Sequence, residues 1–541
     1  MRFNWKKGFV VIAGLVPVAA FFAVFFLYAV NVPFNDDFDA VLGFLLKYLS
    51  YDNLPDKLSL LSSQHNEHRI ASVRFATLAL YKATGAVDFR VLMLAGILAI
   101  PAIAFLLYRA SKGGFKGAVF LPALFIIFQP QYYESIFCAM AALSNFHVIL
   151  FALASFYFLS KEGALFFSLA IACAVVASYT QGNGIFLFPT GAALLLLSKR
   201  YRAAVIWVAI GAAVIALYFH GYSRPAGHPE VASIILHDPL AVIKYFLAFL
   251  GAPVYFYYAA GAASLLVFLL LVFRGYYRRN PVIFFFLVFL FLTALAASAA
   301  RAGFGVEQSF ALRYRIVSVL IFASLYIGGI ETLGKDRARR LLPAFLILTA
   351  AFNIFSYLDM MKGIRMEARE LSLSVVKWKG SGSGLFYRDG ATAGSMADEA
   401  IKKGIYSPDL LPRHILSSPI EAALPKEYGE IKSSIDLAED DLPGYLFTGW
   451  AAADTAGKGG RALYLVLKSD SKTLVFDSIR RTGPAREGIL SETGFLSYIP
   501  KHEVPEGEYS VWLYIREGGD SAFKPTGLKV SARLIDPSFA P

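Results

Sequence analysis

Charge is what this chain has least of. Asp, Glu, Lys and Arg make up 17% of its 541 residues, against 57% hydrophobic and 15% aromatic, where a soluble domain is nearer a quarter charged. Mean hydropathy is +0.56. Cysteine is almost missing too. Cys138 and Cys173 both sit in apolar stretches, which excludes a disulfide framework and a cysteine metal centre. Acid is scarce relative to base over the first 358 residues, which hold 28 Lys/Arg and 14 Asp/Glu, whereas Asp359 onward holds 23 and 25. The positive excess lies in short loops between apolar runs. It therefore reports membrane topology and excludes a nucleic-acid partner.

Long apolar runs are there in number. They cover about 8–31, 91–108, 117–129, 143–160, 163–179, 184–198, 203–219, 255–273, 281–299, 316–333 and 341–358. Measured against the roughly 20 residues a bilayer requires, these make about eleven spans, the shortest being 117–129. The first run follows Arg2, Lys6 and Lys7 and exceeds 20 residues without a small-residue cleavage site. It reads as a retained helix and not a signal peptide.

Eleven spans place every basic cluster on one side: Arg2/Lys6/Lys7, Arg109/Lys112/Lys116, Lys161, Lys199/Arg200/Arg202, Arg274/Arg278/Arg279 and Lys335/Arg337/Arg339/Arg340. That side holds 17 basic residues against three acids, Glu162, Glu331 and Asp336. The positive-inside rule makes it cytoplasmic, with the N-terminus there. The opposite side receives loop 32–90, loop 220–254, loop 300–315 and everything after 358.

Polar candidates gather on that outer side. Asn35-Asp36-Asp37-Phe38-Asp39 follows the first run directly, and a carboxylate at a membrane border is either solvated or functional. Loop 32–90 shows apolar residues at helical spacing over Ala40–Leu49 and Leu58–Thr84, which predicts two interfacial amphipathic helices. The second carries His65-Asn66-Glu67-His68-Arg69 near its start. His65 and His68, three apart, are predicted to share a helix face. With Asp36 or Asp37 they could hold a divalent cation such as magnesium or manganese; the alternatives are a sugar or phosphate contact, or a polar helix end. Tyr179-Thr180-Gln181-Gly182-Asn183-Gly184 interrupts an apolar region, either as a tight turn or as amides lining a pocket. Arg301, Arg313 and Arg315 are cations on the side topology disfavours. Guanidinium forks suit phosphate oxygens; lipid headgroups or Glu307 are the competing partners.

After Tyr357 the composition becomes that of a soluble protein. Residues 359–443 read as a mixed α/β linker region, with helices near Lys362–Ser374 and Ser395–Lys403. Residues 444–541 read as a small β-sandwich with strands near Leu463–Leu467, Thr473–Phe476, Tyr509–Tyr514 and Leu528–Leu534. No catalytic constellation is visible there.

With these residues in view, 1–358 resembles the GT-C superfamily of integral-membrane glycosyltransferases. The match rests on Asp36-Asp37 at the outer end of the first helix, the long first outer loop, the Tyr-Thr-Gln-Gly-Asn-Gly turn and the Arg301–Arg315 loop. Gly449-Trp450-Ala451, Gly494-Phe495 and Pro505-Glu506-Gly507 are similar to β-sandwich modules appended to bacterial proteins of this type. The resemblance implies a bacterial inner-membrane enzyme with an outward-facing C-terminal domain. It would move a sugar from a polyprenyl-phosphate donor to a glycan or lipid acceptor among the membrane lipids. Asp36 or Asp37 would be the base, and Arg301, Arg313, Arg315 and Arg69 would bind phosphate. His65, Asn66, Glu67, His68, Gln181 and Asn183 would contact substrate. The rival reading is a transporter or flippase of a lipid-linked saccharide. That predicts charge near the middle of several spans, and these spans carry almost none.

Overall fold

The computed structural model describes residues 5–112, 117–224, 231–381, 384–408, 420–421, 431–439, 444–453, 461–481, 494–501, 504–517 and 520–532. They form two compact units. One comprises Met1–Ile364 with Met396–Ser407, the other Arg365–Ser395 with Pro408–Pro541.

The first unit is helical. Among the described residues, seven helices are long and apolar enough to cross a membrane: Val10–Tyr28, Phe89–Ala110, Ala139–Leu159, Tyr201–Phe219, Pro281–Phe304, Leu312–Leu333 and Asp336–Ser372. Seven of the eleven expected spans therefore reach that length. The other four runs form the shorter helices Gly117–Ile127, Ala164–Ser178, Gly182–Leu197 and Tyr257–Phe273, and a further short one, Pro239–Gly251, lies outside the expected runs. The backbone bounds these helices. Gly163 (φ 105°) and Lys199 (φ 56°) take left-handed conformations at two of the borders, which no continuing right-handed helix allows. Pro239–Gly251 packs closely against Tyr257–Phe273. A side chain at Gly251 would strike the Tyr257 carbonyl, and one at Gly261 the Leu247 carbonyl.

Buried polar groups pin this unit at both ends. At one end Glu331 is fully buried and accepts hydrogen bonds from the Lys112 backbone N–H (2.7 Å), the Tyr276 hydroxyl (2.9 Å) and the Asn280 amide (3.0 Å). At the other, Asn31 donates to the Ser407 carbonyl (2.8 Å) and accepts from the Phe89 N–H (2.8 Å), while Tyr406 donates to the Asn31 carbonyl (2.9 Å). The segment Met396–Ser407 thus belongs to the helical unit. Residues 409–419 of the linker region, just beyond it, lie outside the described residues.

Loop 32–90 departs from expectation. The first amphipathic stretch is a π-helical turn, Phe38–Gly43, continued by Phe44–Ser50. The second is split in two. Leu54–Ser62 is capped by Asn53, whose side chain accepts the Asp56 N–H, and Ala71–Thr84 ends at Gly85 (φ 78°). Between them Gln64–His65 and His68–Arg69 form a two-stranded hairpin, so the histidines face each other as cross-strand partners and share no helix face. The reason is local: Asn66 adopts φ 48°, the left-handed turn conformation that Asn tolerates and a helix interior does not.

In the second unit two antiparallel sheets share one core. One runs in the order Asp520–Ala532, Gly507–Glu517, Arg461–Lys468, Thr473–Asp477, Ile420–Glu421; the other Ile431–Glu439, Gly444–Ala453, Gly494–Pro500, Ile479–Arg481. Period-two alternation sends Leu463, Leu465, Leu467, Val511, Leu513 and Ile515 inward, where they meet Phe447, Phe495 and Ile499 of the second sheet. The helix expected near Lys362–Ser374 is part of the long helix Lys335–Ser381, and the other spans Gly390–Lys402. Of Leu528–Leu534, residues beyond Ala532 lie outside the described residues.

Candidate active site

A cavity of about 240 Å³ opens in the helical unit where the hairpin, the 179–186 turn and the 300–315 segment converge. Its polar lining includes Glu67, His68, Asn145, Gln181, Asn183, Arg301, Arg313 and Tyr314, and its apolar lining includes Val148, Ile149, Phe186, Phe249, Ile316 and Val317.

Each polar side chain is fixed by the local fold. Pro281–Arg301 delivers Arg301 at its C-terminal end. Three short 3-10 turns between Ala302 and Tyr314 then bring Arg313 back to the same place. Both guanidiniums lie over the Tyr314 ring, at 5.3 Å from Arg301 and 5.1 Å from Arg313, a geometry that holds cations by the ring's quadrupole. Arg301 also donates to Glu67 Oε1 at 2.8 Å. Gln181 donates to Asn145 Oδ1 (2.9 Å) and Asn183 to Thr293 Oγ1 (3.2 Å), while the buried Asn183 Oδ1 has no hydrogen-bond partner among the described residues. Gly182 sits against the hairpin. Its N–H points at His68 Nδ1 (3.4 Å), and a Cβ there would come within 3.1 Å of that nitrogen. Burial pulls the His68 pKa below its ordinary value. The Arg301 charge adds to this, and Glu67 opposes it.

The adjacent acids divide sharply. Asp37 is completely buried. Its carboxylate accepts the backbone N–H groups of Met140 (2.7 Å), Ala139 (3.2 Å) and Phe34 (3.3 Å), and the Cys138 thiol lies at 3.6 Å. It therefore caps the N-terminus of the helical stretch Ala139–Leu159, where an anion is favoured. Burial nevertheless outweighs these donors and pushes its pKa up to about 6. Asp36 instead keeps its side chain 48% exposed. It lies 3.9 Å from His65 Nε2 and within electrostatic reach of Arg313.

Of the residues expected to act, Glu67, His68, Gln181, Asn183, Arg301 and Arg313 come together in the cavity. Asp36, Asp37, His65, Asn66, Arg69 and Arg315 are not among its lining. Arg69 donates to three carbonyls, Tyr218 (2.7 Å), Ser62 (2.6 Å) and His220 (2.6 Å), so its guanidinium staples the hairpin to the end of Tyr201–Phe219. Arg315 faces Asp359, Glu134, Tyr133 and Tyr255. Asn66 makes the hairpin turn. The cation site expected from His65, His68 and an aspartate is not assembled: among the described residues no three His, Cys, Asp or Glu side chains gather as a metal site. Asn145, Thr293 and Tyr314 are cavity groups that sequence reasoning missed. Thr293 had a signal, being a lone polar residue in an apolar run, and Asn145 sits with Ser144 and His147 in another; Tyr314 is flanked by Arg313 and Arg315 in the sequence.

No protein-family model, curated protein or solved structure matches this chain.

The arrangement sets two guanidiniums in a cavity whose lining is otherwise largely hydrocarbon. Such a space suits an amphiphile with an anionic head and an apolar tail. A half-exposed carboxylate, Asp36, stands within electrostatic reach of one of the guanidiniums and could take a proton.

Proposed function

We propose that the chain is a GT-C-type glycosyltransferase of a bacterial inner membrane, with its N-terminus cytoplasmic and its C-terminal unit on the outer side. It transfers a sugar from a polyprenyl-phosphate donor to an envelope glycan or lipid. The observation that carries this reading is a cavity lined both by Arg301 and Arg313 and by many apolar side chains. The isoprenoid tail lies along Val148, Ile149, Ile316 and Val317, where contact with hydrocarbon costs nothing. The phosphate meets the arginines, which stabilise the charge that grows on it as the bond to the anomeric carbon breaks.

The acceptor hydroxyl attacks that carbon and passes its proton to a carboxylate. Asp36 fits this role better than Asp37, whose carboxylate is already engaged by three backbone donors. Gln181, Asn183 and Asn145 offer amides to sugar hydroxyls. Asn183 Oδ1, unpartnered among the described residues, is a buried acceptor, and such an atom is normally satisfied by a donor.

The test compares cells making the wild-type chain, Asp36→Asn and Arg313→Gln at matched levels, by mass spectrometry of extracted polysaccharide and lipid fractions. A sugar missing from one fraction in both variants is expected, and it would name donor sugar and acceptor together. Unchanged fractions in Asp36→Asn would remove the base. A lipid-linked precursor that accumulates only when the whole chain is deleted would replace the enzyme with a transporter.

A further inference from the structure

Glu67 is the one carboxylate among the described cavity-lining residues, and it is spent on a cation that the proposed reaction needs. Its Oε1 sits 2.8 Å from the Arg301 guanidinium, with the two side chains 25% and 17% exposed. The pair is held from both sides. Glu67 rides the tight hairpin turn next to Asn66, and Arg301 is steadied over Tyr314. A phosphate entering the cavity meets Arg313, and it meets an Arg301 whose charge is already answered.

Resting on the polyprenyl-phosphate reading, we infer that Glu67 and the substrate phosphate compete for Arg301, and that Glu67 surrenders it to the leaving group during transfer. The charges decide the direction. A polyprenyl-phosphate sugar is a phosphodiester with a single negative charge. When the anomeric C–O bond breaks, the electron pair stays on the phosphate oxygen. The new bond forms from the acceptor oxygen to the anomeric carbon, the acceptor proton goes to Asp36, and the product phosphomonoester carries a charge approaching about −2. A monoanion competes poorly with a carboxylate already docked on a guanidinium, and a dianion competes well. Arg301 is thus withheld from the donor ground state and released to the charge that develops later. An interaction made more strongly in the transition state than in the ground state is the kind that accelerates the chemical step. The hand-over requires only side-chain rotation of Glu67, with the hairpin backbone in place.

The experiment uses the purified full-length chain in detergent and three probes: farnesyl phosphate, a monoester; its methyl diester; and farnesol. Binding is measured calorimetrically for the wild type, Glu67→Gln, Arg301→Gln and the double variant. Wild type is expected to prefer the monoester over the diester. Glu67→Gln is expected to tighten the monoester by about tenfold, the cost of displacing Glu67 from Arg301, and the diester distinctly less, because the diester gains only the weaker contact it was denied, so the preference widens; a tenfold change is on the scale of one charge-assisted hydrogen bond. In the Arg301→Gln background the Glu67→Gln gain should vanish. Equal effects on both esters, no effect, or weaker binding in Glu67→Gln would overturn the hand-over and leave Glu67 as a support for Arg301. That result would spare the polyprenyl-phosphate reading as long as both esters outbind farnesol. Farnesol binding as tightly as either ester in the wild type would sink both.

Discussion

Asp36 and Asp37 are neighbours with opposite surroundings, and substitution should separate them. Asp36→Asn is expected to leave the fold intact and lower transfer about 100-fold or more, the scale of a lost general base. Asp37→Asn should act first on stability. It sets an amide NH2 among backbone donors and costs about 1–3 kcal/mol, visible as a lower melting temperature in detergent. The Asp37 pKa adds a pH signature. Raised from 3.8 to about 6 in the folded chain, it means that the folded form binds the proton more tightly than the unfolded form. Stability from this group is therefore full below about pH 3.8 and is lost as pH rises through 6, a swing of about 3 kcal/mol at most. Difference infrared spectra should show a protonated carboxyl band disappearing with a midpoint near 6, and Asp37→Asn should lack it. A band that has already gone by pH 4 would refute burial as the dominant influence on this group. The pair is conspicuous in the sequence because acids are rare beside an apolar run. The two are not distinguishable there, since side-chain direction depends on Met140 and Ala139, more than 100 positions away.

The hairpin Gln64–Arg69 is the element on which the site turns, and it is the element that periodicity misplaces. Helical spacing runs through Leu58–Thr84, and apolar periodicity has no means of registering one left-handed residue. Asn66 at φ 48° and Arg69, with three carbonyls to satisfy, cut that stretch in two. Asn66→Val should be unfavourable because a β-branched residue resists this conformation. A stability loss of about 1–2 kcal/mol, together with loss of farnesyl-phosphate binding, is the expected outcome, while Asn66→Gly should keep both. By contrast the strands of the second unit are legible. Leu463–Leu467 and Tyr509–Tyr514 alternate or run apolar between turn residues, and every second residue of each enters the shared core. The arginines are legible for a different reason. A cation on the side that the expected topology disfavours stands out in the sequence, and two of the three, Arg301 and Arg313, line the cavity. Arg315, one residue beyond Tyr314, faces other groups because Arg315–Leu333 is already helical.

At the scale of the whole molecule, the helical unit is not closed until residue 407. Asn31 beyond the end of the first helix depends on Ser407 and Tyr406, and the Val87 N–H donates to the Ile405 carbonyl at 2.7 Å. A chain ending after Ser407 should therefore retain the cooperative melting of the helical unit. One ending before Met396 should melt markedly lower, because the Asn31 amide, the Asn31 carbonyl and the Val87 N–H all lose their partners. Equal melting of the two truncations would show that the returning segment contributes nothing. Nothing in the sequence marks this return. The Asn31 contacts span more than 370 positions, and the segment itself, Ile405-Tyr406-Ser407, is ordinary in composition. The length of the spans is hard to read for a related reason. Apolar length is legible, but where a helix stops is decided by backbone conformation at single residues such as Gly163 and Lys199.

The five short apolar helices carry a consequence for the lipid around them. At 10–17 residues each and 1.5 Å of rise per residue, they fall short of a hydrocarbon layer about 30 Å thick. Two of them, Gly182–Leu197 and Pro239–Gly251, contribute Phe186 and Phe249 to the cavity wall. A helix this short that faces lipid is met by a thinned bilayer, at a fraction of a kcal/mol per ångström of mismatch. Acyl chain length thus becomes a control on the protein. Reconstituted into bilayers of graded thickness, it should be most stable and most active in the thinner ones, with the polar head of an amphiphile brought nearer to the arginines by the membrane itself.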